Sequence, residues 1–302
     1  MAKIAVIGPG AIGCVVAAGL IESGRHQVTV CARSAFERIV VRFPDGKTLE
    51  VAAAVIPDAA IAPRADWVIL CTKAYQTASA AGWFRALVGN GTQVAVLQNG
   101  VEHEARVISL VPNGTPIVPV VVRMPAQRVA PGNVSLDGRA SLGVPEGPSG
   151  LAFAALFAGT RVSATTTADF VTEVWTKLCL NAANGAIMAL TEHTIAVLRQ
   201  PPIADLARTI IRECIAVGRA EGAKLDDTMT DRLIDMMIAI PHAETHGNSM
   251  YYDRMAGREM EYDARNGVIA RLGARHGIPT PINSALTALL SAVRPHRPRE
   301  DC

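Results

Sequence analysis

The chain has 302 residues, half of them hydrophobic and 19% charged, with a formal net charge of only +2. That length is comfortable for two cores, and the near-neutral balance excludes a broad electrostatic footprint for nucleic acid. The six cysteines (14, 31, 71, 179, 214 and 302) are scattered, without a CxxC pair or a cluster with histidine. Reduced thiols in a cytoplasmic protein, with no metal centre, are the economical expectation.

Residues 3–33 organise the first half. Residues 4–7 form a short β-branched, apolar run, long enough for a buried parallel strand. Gly8-Pro9-Gly10-Ala11-Ile12-Gly13 follows at once and leads into a small-residue helix ending before Gly24. The spacing Gly8, Gly10, Gly13 is the dinucleotide fingerprint in its required strand–turn–helix setting. The first glycine makes the turn, the second admits a pyrophosphate and the third packs helix on strand. The helix N-terminus offers free N–H groups and its positive end to phosphate. Residues 4–21 could also be scanned as a secretory signal behind Lys3, but four glycines and a proline interrupt the run and no small-residue cleavage site follows. No other run is apolar enough to span a bilayer. Residues 27–32 are the second strand. It ends at Arg33 with no acid for the ribose hydroxyls, so Arg33 is expected to meet a 2′-phosphate and select NADP(H).

Further along, Asp45-Gly46 between 40–43 and 48–55 predicts a hairpin or short edge strands. Residues 67–71 form a core strand ending in Thr72-Lys73-Ala74-Tyr75-Gln76, and 92–97 form another ending in Gln98-Asn99-Gly100. Both polar clusters lie at carboxyl ends of strands, the ligand edge of an open α/β sheet. Residues 117–122 read as one strand with an edge or bend at Pro119. Residues 133–136 and 141–144, around Asp137-Gly138, read as a second hairpin. A helix over 151–158 and a strand near 161–165 complete a Rossmann domain spanning 1–168.

The pattern then turns helical for a second domain, 169–302. Helices are expected over 170–190, 203–221, 229–240, 250–256, 261–276 and 281–293. A homodimer through their apolar faces is the expected assembly, and the basic stretch 294–299 is expected to be a frayed end. Lys177 and Asn181, four apart, share one face of the first of these helices within an otherwise apolar segment. A lysine turned into a cleft there would have its pKa lowered toward the range of a general acid; a snorkelling lysine is the plain alternative. Ser249 is either an N-cap or a ligand hydroxyl. One acid of Glu259-Met260-Glu261-Tyr262-Asp263 either faces the same cleft or belongs to an acidic first turn.

Together these motifs resemble the ketopantoate reductase (2-dehydropantoate 2-reductase) family over essentially the whole chain. The matching stretches are GPGAIG at 8–13, Arg33, TKAYQ at 72–76, QNGVE at 98–102, VWTKLCLNAA at 174–183, NSMYYD at 248–253 and EYDARNG at 261–267. The resemblance implies an α/β Rossmann N-terminal domain and an all-α C-terminal domain like that of 6-phosphogluconate dehydrogenase. It implies NADPH held by Gly8, Pro9, Gly10, Ala11, Ile12, Gly13, Arg33, Thr72, Lys73, Gln76 and Asn99. It also implies a small 2-keto acid substrate, with Lys73 and Asn99 able to reach it, Lys177 as general acid and Asn181 and Ser249 holding it. Glu261 would orient lysine and substrate. Two positions depart from the family pattern. Gly185 stands where a second asparagine is common, with Asn184 one residue early, and His246 replaces an asparagine on the substrate side. A reductase of another small keto or hydroxy acid is therefore an open alternative. A non-catalytic NADP(H) sensor is a third, although it would have no need of Lys177, Asn181 and Glu261.

Overall fold

A computed structural model describes residues 1–293 and divides the chain into two compact units, Met1–Phe170 and the residues from Val171 onward. The basic stretch 294–299 lies outside the described residues. Among those residues no helix is long and apolar enough to cross a membrane.

In the first unit the order begins β1 (Lys3–Ile7), α1 (Ala11–Glu22), β2 (Gln27–Cys31), β3 (Arg38–Arg42), β4 (Thr48–Ala52), β5 (Ala54–Ile56) and β6 (Trp67–Leu70). It continues with α2 (Ala81–Leu87), β7 (Gln93–Val96), α3 (His103–Val107), β8 (Ile117–Pro119), β9 (Val121–Arg123), β10 (Ala126–Ala130), β11 (Asn133–Leu136), β12 (Ala140–Pro145), α4 (Pro148–Leu156) and β13 (Val162–Thr167). The central sheet is parallel, in the order β5-β2-β1-β6-β7-β8. Its side chains divide with period two. Ile4, Val6, Trp67, Ile69 and Ala95 enter one core, while Ala5, Ile7, Val68, Leu70, Val94 and Val96 enter the other. Both faces are thus covered, which is why these strands read as continuous apolar runs.

Helix α1 is buried continuously from Gly13 to Leu20. It lies between the central sheet and a four-stranded sheet, β10-β11-β3-β4. A helix covered on two sides has no polar stripe, so its sequence is apolar all round.

Three expectations for this unit are corrected. Residues 48–55 are not one strand: β4 closes the Asp45-Gly46 hairpin with β3, while β5 crosses to pair with β2. Residues 117–122 likewise split. Pro119 ends β8 on the edge of the central sheet, and β9 pairs with β12 in a three-stranded sheet, β13-β12-β9. Asp137-Gly138 is not a hairpin turn. Both edges of β11 are already taken, by β10 and β3, so the chain leaves for another sheet. The hairpin that does form joins β10 to β11 through Gly132, at φ +72°.

The second unit is helical: α5 (Phe170–Thr191), which begins at the boundary, then α6 (Pro201–Ala220), α7 (Met229–Ile238), α8 (Ser249–Met255), α9 (Val268–His276) and α10 (Pro281–Ala292). The expected helix over 261–276 starts late. Glu261 precedes it, and Asp263–Gly267 is a π-helical turn in which the Tyr262 carbonyl accepts from the N–H groups of Arg265, Asn266 and Gly267. Asn266, fully buried, ties this turn to the Ala182 carbonyl at 3.1 Å and to Asn283 at 2.9 Å. Asn283 in turn donates from its backbone and side-chain nitrogens to buried Glu213.

Candidate active site

The first unit gathers its candidate residues at the carboxyl ends of β1, β2, β6 and β7. The strand order reverses around β1 and β6, the position where open α/β sheets bind ligands. Gly8 has φ +87°, and a Cβ on it would stand 2.9 Å from the Thr72 nitrogen. Its N–H donates to the Cys31 carbonyl at 3.2 Å, so three strand ends meet there. A Cβ on Gly13 would strike the Gly8 carbonyl, whereas one on Gly10 would meet none of the described residues within 4 Å. The loop is therefore closed toward the sheet and open outward. Among the described residues no side-chain hydrogen bond caps the N-terminus of α1, and no acid stands in its first turn. Ala11, Ile12 and Gly13 thus direct N–H groups where an anion is favoured. These features fit a dinucleotide pyrophosphate.

Buried Gln98 links two of the polar clusters. Its Nε2 donates to the Thr72 carbonyl at 3.1 Å and to Thr72 Oγ1 at 3.2 Å, and its carbonyl meets the His103 ring at 2.9 Å. Asn99 is held through its carbonyl, which accepts from Arg106 Nη1 at 2.8 Å. The Lys73 carbonyl accepts from the Gln76 N–H at 2.9 Å. Arg33 lies just past β2, exposed, with no side-chain hydrogen bond or ion pair among the described residues.

In the second unit, Lys177 and Asn181 are half-buried on α5, and Gly185 continues their face one turn on. The volume that a side chain at 185 would fill is taken. A Cβ there would lie 2.9 Å from Arg265 Nη1 and 3.2 Å from Met250 Sδ. Arg265 is 2% exposed, and its Nη2 donates to Ser249 Oγ at 2.5 Å. Burial pulls its pKa down, while the nearby carboxylates of Glu261 and Asp253 push it back up.

Ser249 is not the N-cap of α8. That role belongs to Asn248, whose Oδ1 accepts from the Tyr251 N–H at 3.0 Å. Asn248 Nδ2 also donates to Asn184 Oδ1 at 3.2 Å, so Asn184 secures the start of α8. Of the acids at 259, 261 and 263 only Glu261 is buried, and it stands before the π-turn, not in the first turn of a helix. His246 is exposed on the loop ahead of α8, where its carbonyl accepts from the Ile195 N–H at 3.0 Å. Sequence reasoning assigned no role to Gln98, Arg265 or Asn266, although each falls inside a matched motif.

Two family models cover these units, ketopantoate reductase PanE/ApbA over residues 4–149 and its C-terminal counterpart over residues 169–294. The chain belongs to the ketopantoate reductase family. A 2-dehydropantoate 2-reductase of Caulobacter vibrioides is 46% identical over 97% of this chain and 99% of its own length. Among solved structures, a PanE/ApbA family ketopantoate reductase from Ralstonia eutropha is 31% identical, with a TM-score of 0.87 over 96% of this chain and 98% of its own. A D-mandelate dehydrogenase solved with NADH and anilino(oxo)acetate is 26% identical, with a TM-score of 0.85 over 96% of this chain and 97% of its own. The family and the α/β-plus-helical fold agree with what the motifs imply.

Proposed function

We propose that the protein is an NADPH-dependent 2-dehydropantoate 2-reductase that reduces ketopantoate to pantoate. The observation that carries this reading is the Caulobacter relative, 46% identical from end to end and named for that activity. The open, uncapped glycine loop supports the cofactor.

In this reading Gly8, Pro9, Gly10, Ala11, Ile12 and Gly13 hold the pyrophosphate, and Arg33 pairs with the 2′-phosphate in a charge-assisted contact. Thr72, Lys73, Gln76 and Asn99 hold the rest of the cofactor, and Lys73 and Asn99 also reach substrate. Bound NADPH supplies a hydride from nicotinamide C4 to the C2 ketone carbon. Negative charge then grows on the ketone oxygen. The Lys177 ammonium stabilises that charge and gives the oxygen its proton. Asn181 and Ser249 hold the substrate, and Glu261 orients lysine and substrate. In this reading the protein assembles as a homodimer, and a monomer mass by light scattering would refute that assembly.

A second reading, reduction of another small 2-keto acid on the same frame, is favoured by Gly185 and His246. It is supported by the mandelate dehydrogenase of like fold. Turnover of NADPH with ketopantoate, beside pyruvate, 2-ketoisovalerate and phenylglyoxylate, separates the two. Fastest turnover with ketopantoate is expected. Lys177-dependent turnover of another acid only would replace the first reading by the second. Silence with every acid, despite NADPH binding, would favour a sensor.

A further inference from the structure

Arg265 is a charged side chain for which the reductase reading has no task. It is 2% exposed, and among the described residues its side chain makes one hydrogen bond, from Nη2 to Ser249 Oγ. Nε and Nη1 are buried with no hydrogen-bond partner among the described residues. Glu261 and Asp253 help to hold its charge, but neither accepts a hydrogen bond from it, and Asp253 is engaged by Arg258 at 3.0 Å. A guanidinium buried with donors to spare is costly, and such groups persist where an anion completes them. Its place is specific. The head group lies over Gly185, on the α5 face shared by residues 177, 181 and 185. It is therefore one turn along from Asn181 and two from Lys177.

We propose that Arg265 is a specificity-determining, positioning residue for the carboxylate of the 2-keto acid, acting through Ser249. Because Ser249 Oγ accepts from Nη2, its own O–H is left to donate outward. A hydroxyl polarised by a cation behind it is a good donor to an anion and a poor one to select a neutral group. Gly185 is the other half of this device. Even a methyl group there would press on Nη1 and displace the guanidinium. The inference rests on the reductase reading of the Ser249 side chain as a substrate contact.

The test compares a 2-keto acid with its methyl ester in wild type, Arg265→Met, Arg265→Lys and Gly185→Ala, at saturating NADPH. The acid is the best substrate of the panel above. Where the ester is not reduced, its inhibition constant replaces kcat/KM. Arg265→Met is expected to raise KM for the acid about tenfold or more, the scale of a lost charged hydrogen bond. The ester and the Kd of NADPH should change by less than about twofold, so that the preference for acid collapses. Arg265→Lys should restore part of it, and Gly185→Ala should fall between. If Arg265→Met does not fold, the ratio is read on Gly185→Ala and Arg265→Lys. Equal losses on acid and ester, or a lowered Tm with the ratio intact, would overturn the inference and leave Arg265 as packing. A wild type that reduces some other acid refutes the ketopantoate reading only, and the same ratio still decides the role of Arg265. A wild type that neither binds nor reduces any acid overturns both.

Discussion

Lys177 and Arg33 carry the two single-residue expectations of the reductase reading. Lys177→Ala removes the proton donor and the charge opposite the ketone oxygen while leaving the glycine loop untouched. Turnover should fall by about 10²–10⁴-fold, with the Kd of NADPH nearly unchanged; undiminished turnover would refute the general-acid role. Arg33→Asp replaces a donor for the 2′-phosphate by a repelling carboxylate. It should abolish the preference for NADPH over NADH, read as the ratio of kcat/KM values, and an unchanged ratio would refute the contact. Both residues were nominated from the sequence because a motif puts them at defined offsets from a strand end or on a helix face. Arg265 was not. Whether an arginine is a solvated surface group or a buried cation depends on what folds over it. Its position against Gly185 involves segments far apart in the chain, and no periodicity reports such a meeting. Gly185, read alone, was only a missing asparagine. The structure gives its absent side chain a physical reason, because the space is occupied by a guanidinium.

Element-scale reading succeeded where one segment's pattern decides its state. The central strands alternate between two cores, and α1 follows its glycine turn. It failed where pairing partners compete. Asp137-Gly138 has the composition of a hairpin turn, yet β11 already has two neighbours. The break at Pro119 sends β8 and β9 to different sheets although the sequence across it is continuously apolar. The start of α8 offers a test at this scale. Asn248 caps that helix, accepts from Tyr251 and donates to Asn184, and it immediately precedes Ser249. Asn248→Ala should cost about 1 kcal/mol in urea unfolding, the ordinary loss for an N-cap. It should also raise KM for the acid with kcat little changed, since it loosens the helix start that sets the Ser249 hydroxyl. Loss of stability with KM unmoved would show that Arg265 and the rest of α8 hold Ser249 without the cap.

Buried thiols set a property of the whole chain, its stability in alkali. None of the five described cysteines is in a disulfide. Burial pushes the Cys14 thiol from an ordinary 9.0 to about 11 and Cys31 to about 12. In the second unit Cys214 is raised by burial and by its neighbour Cys179. Below pH 9 a thiol is protonated in both folded and unfolded chains, so it adds no pH dependence. Above that value the unfolded chain releases the proton and the folded chain keeps it, so the unfolded state binds fewer protons and stability must fall as pH rises. Each such thiol contributes a slope of about 1.4 kcal/mol per pH unit until its folded pKa is reached, near 11 for Cys14 and 12 for Cys31. The contribution of one thiol is best isolated by difference. Cys31→Val removes one titrating group with little change of shape at a site 1% exposed. Urea unfolding of wild type and variant across pH 7–11 should show near-parallel stabilities below pH 9 and a shallower decline for the variant above it. Parallel curves throughout would mean that Cys31 titrates in the folded protein as it does in the unfolded chain.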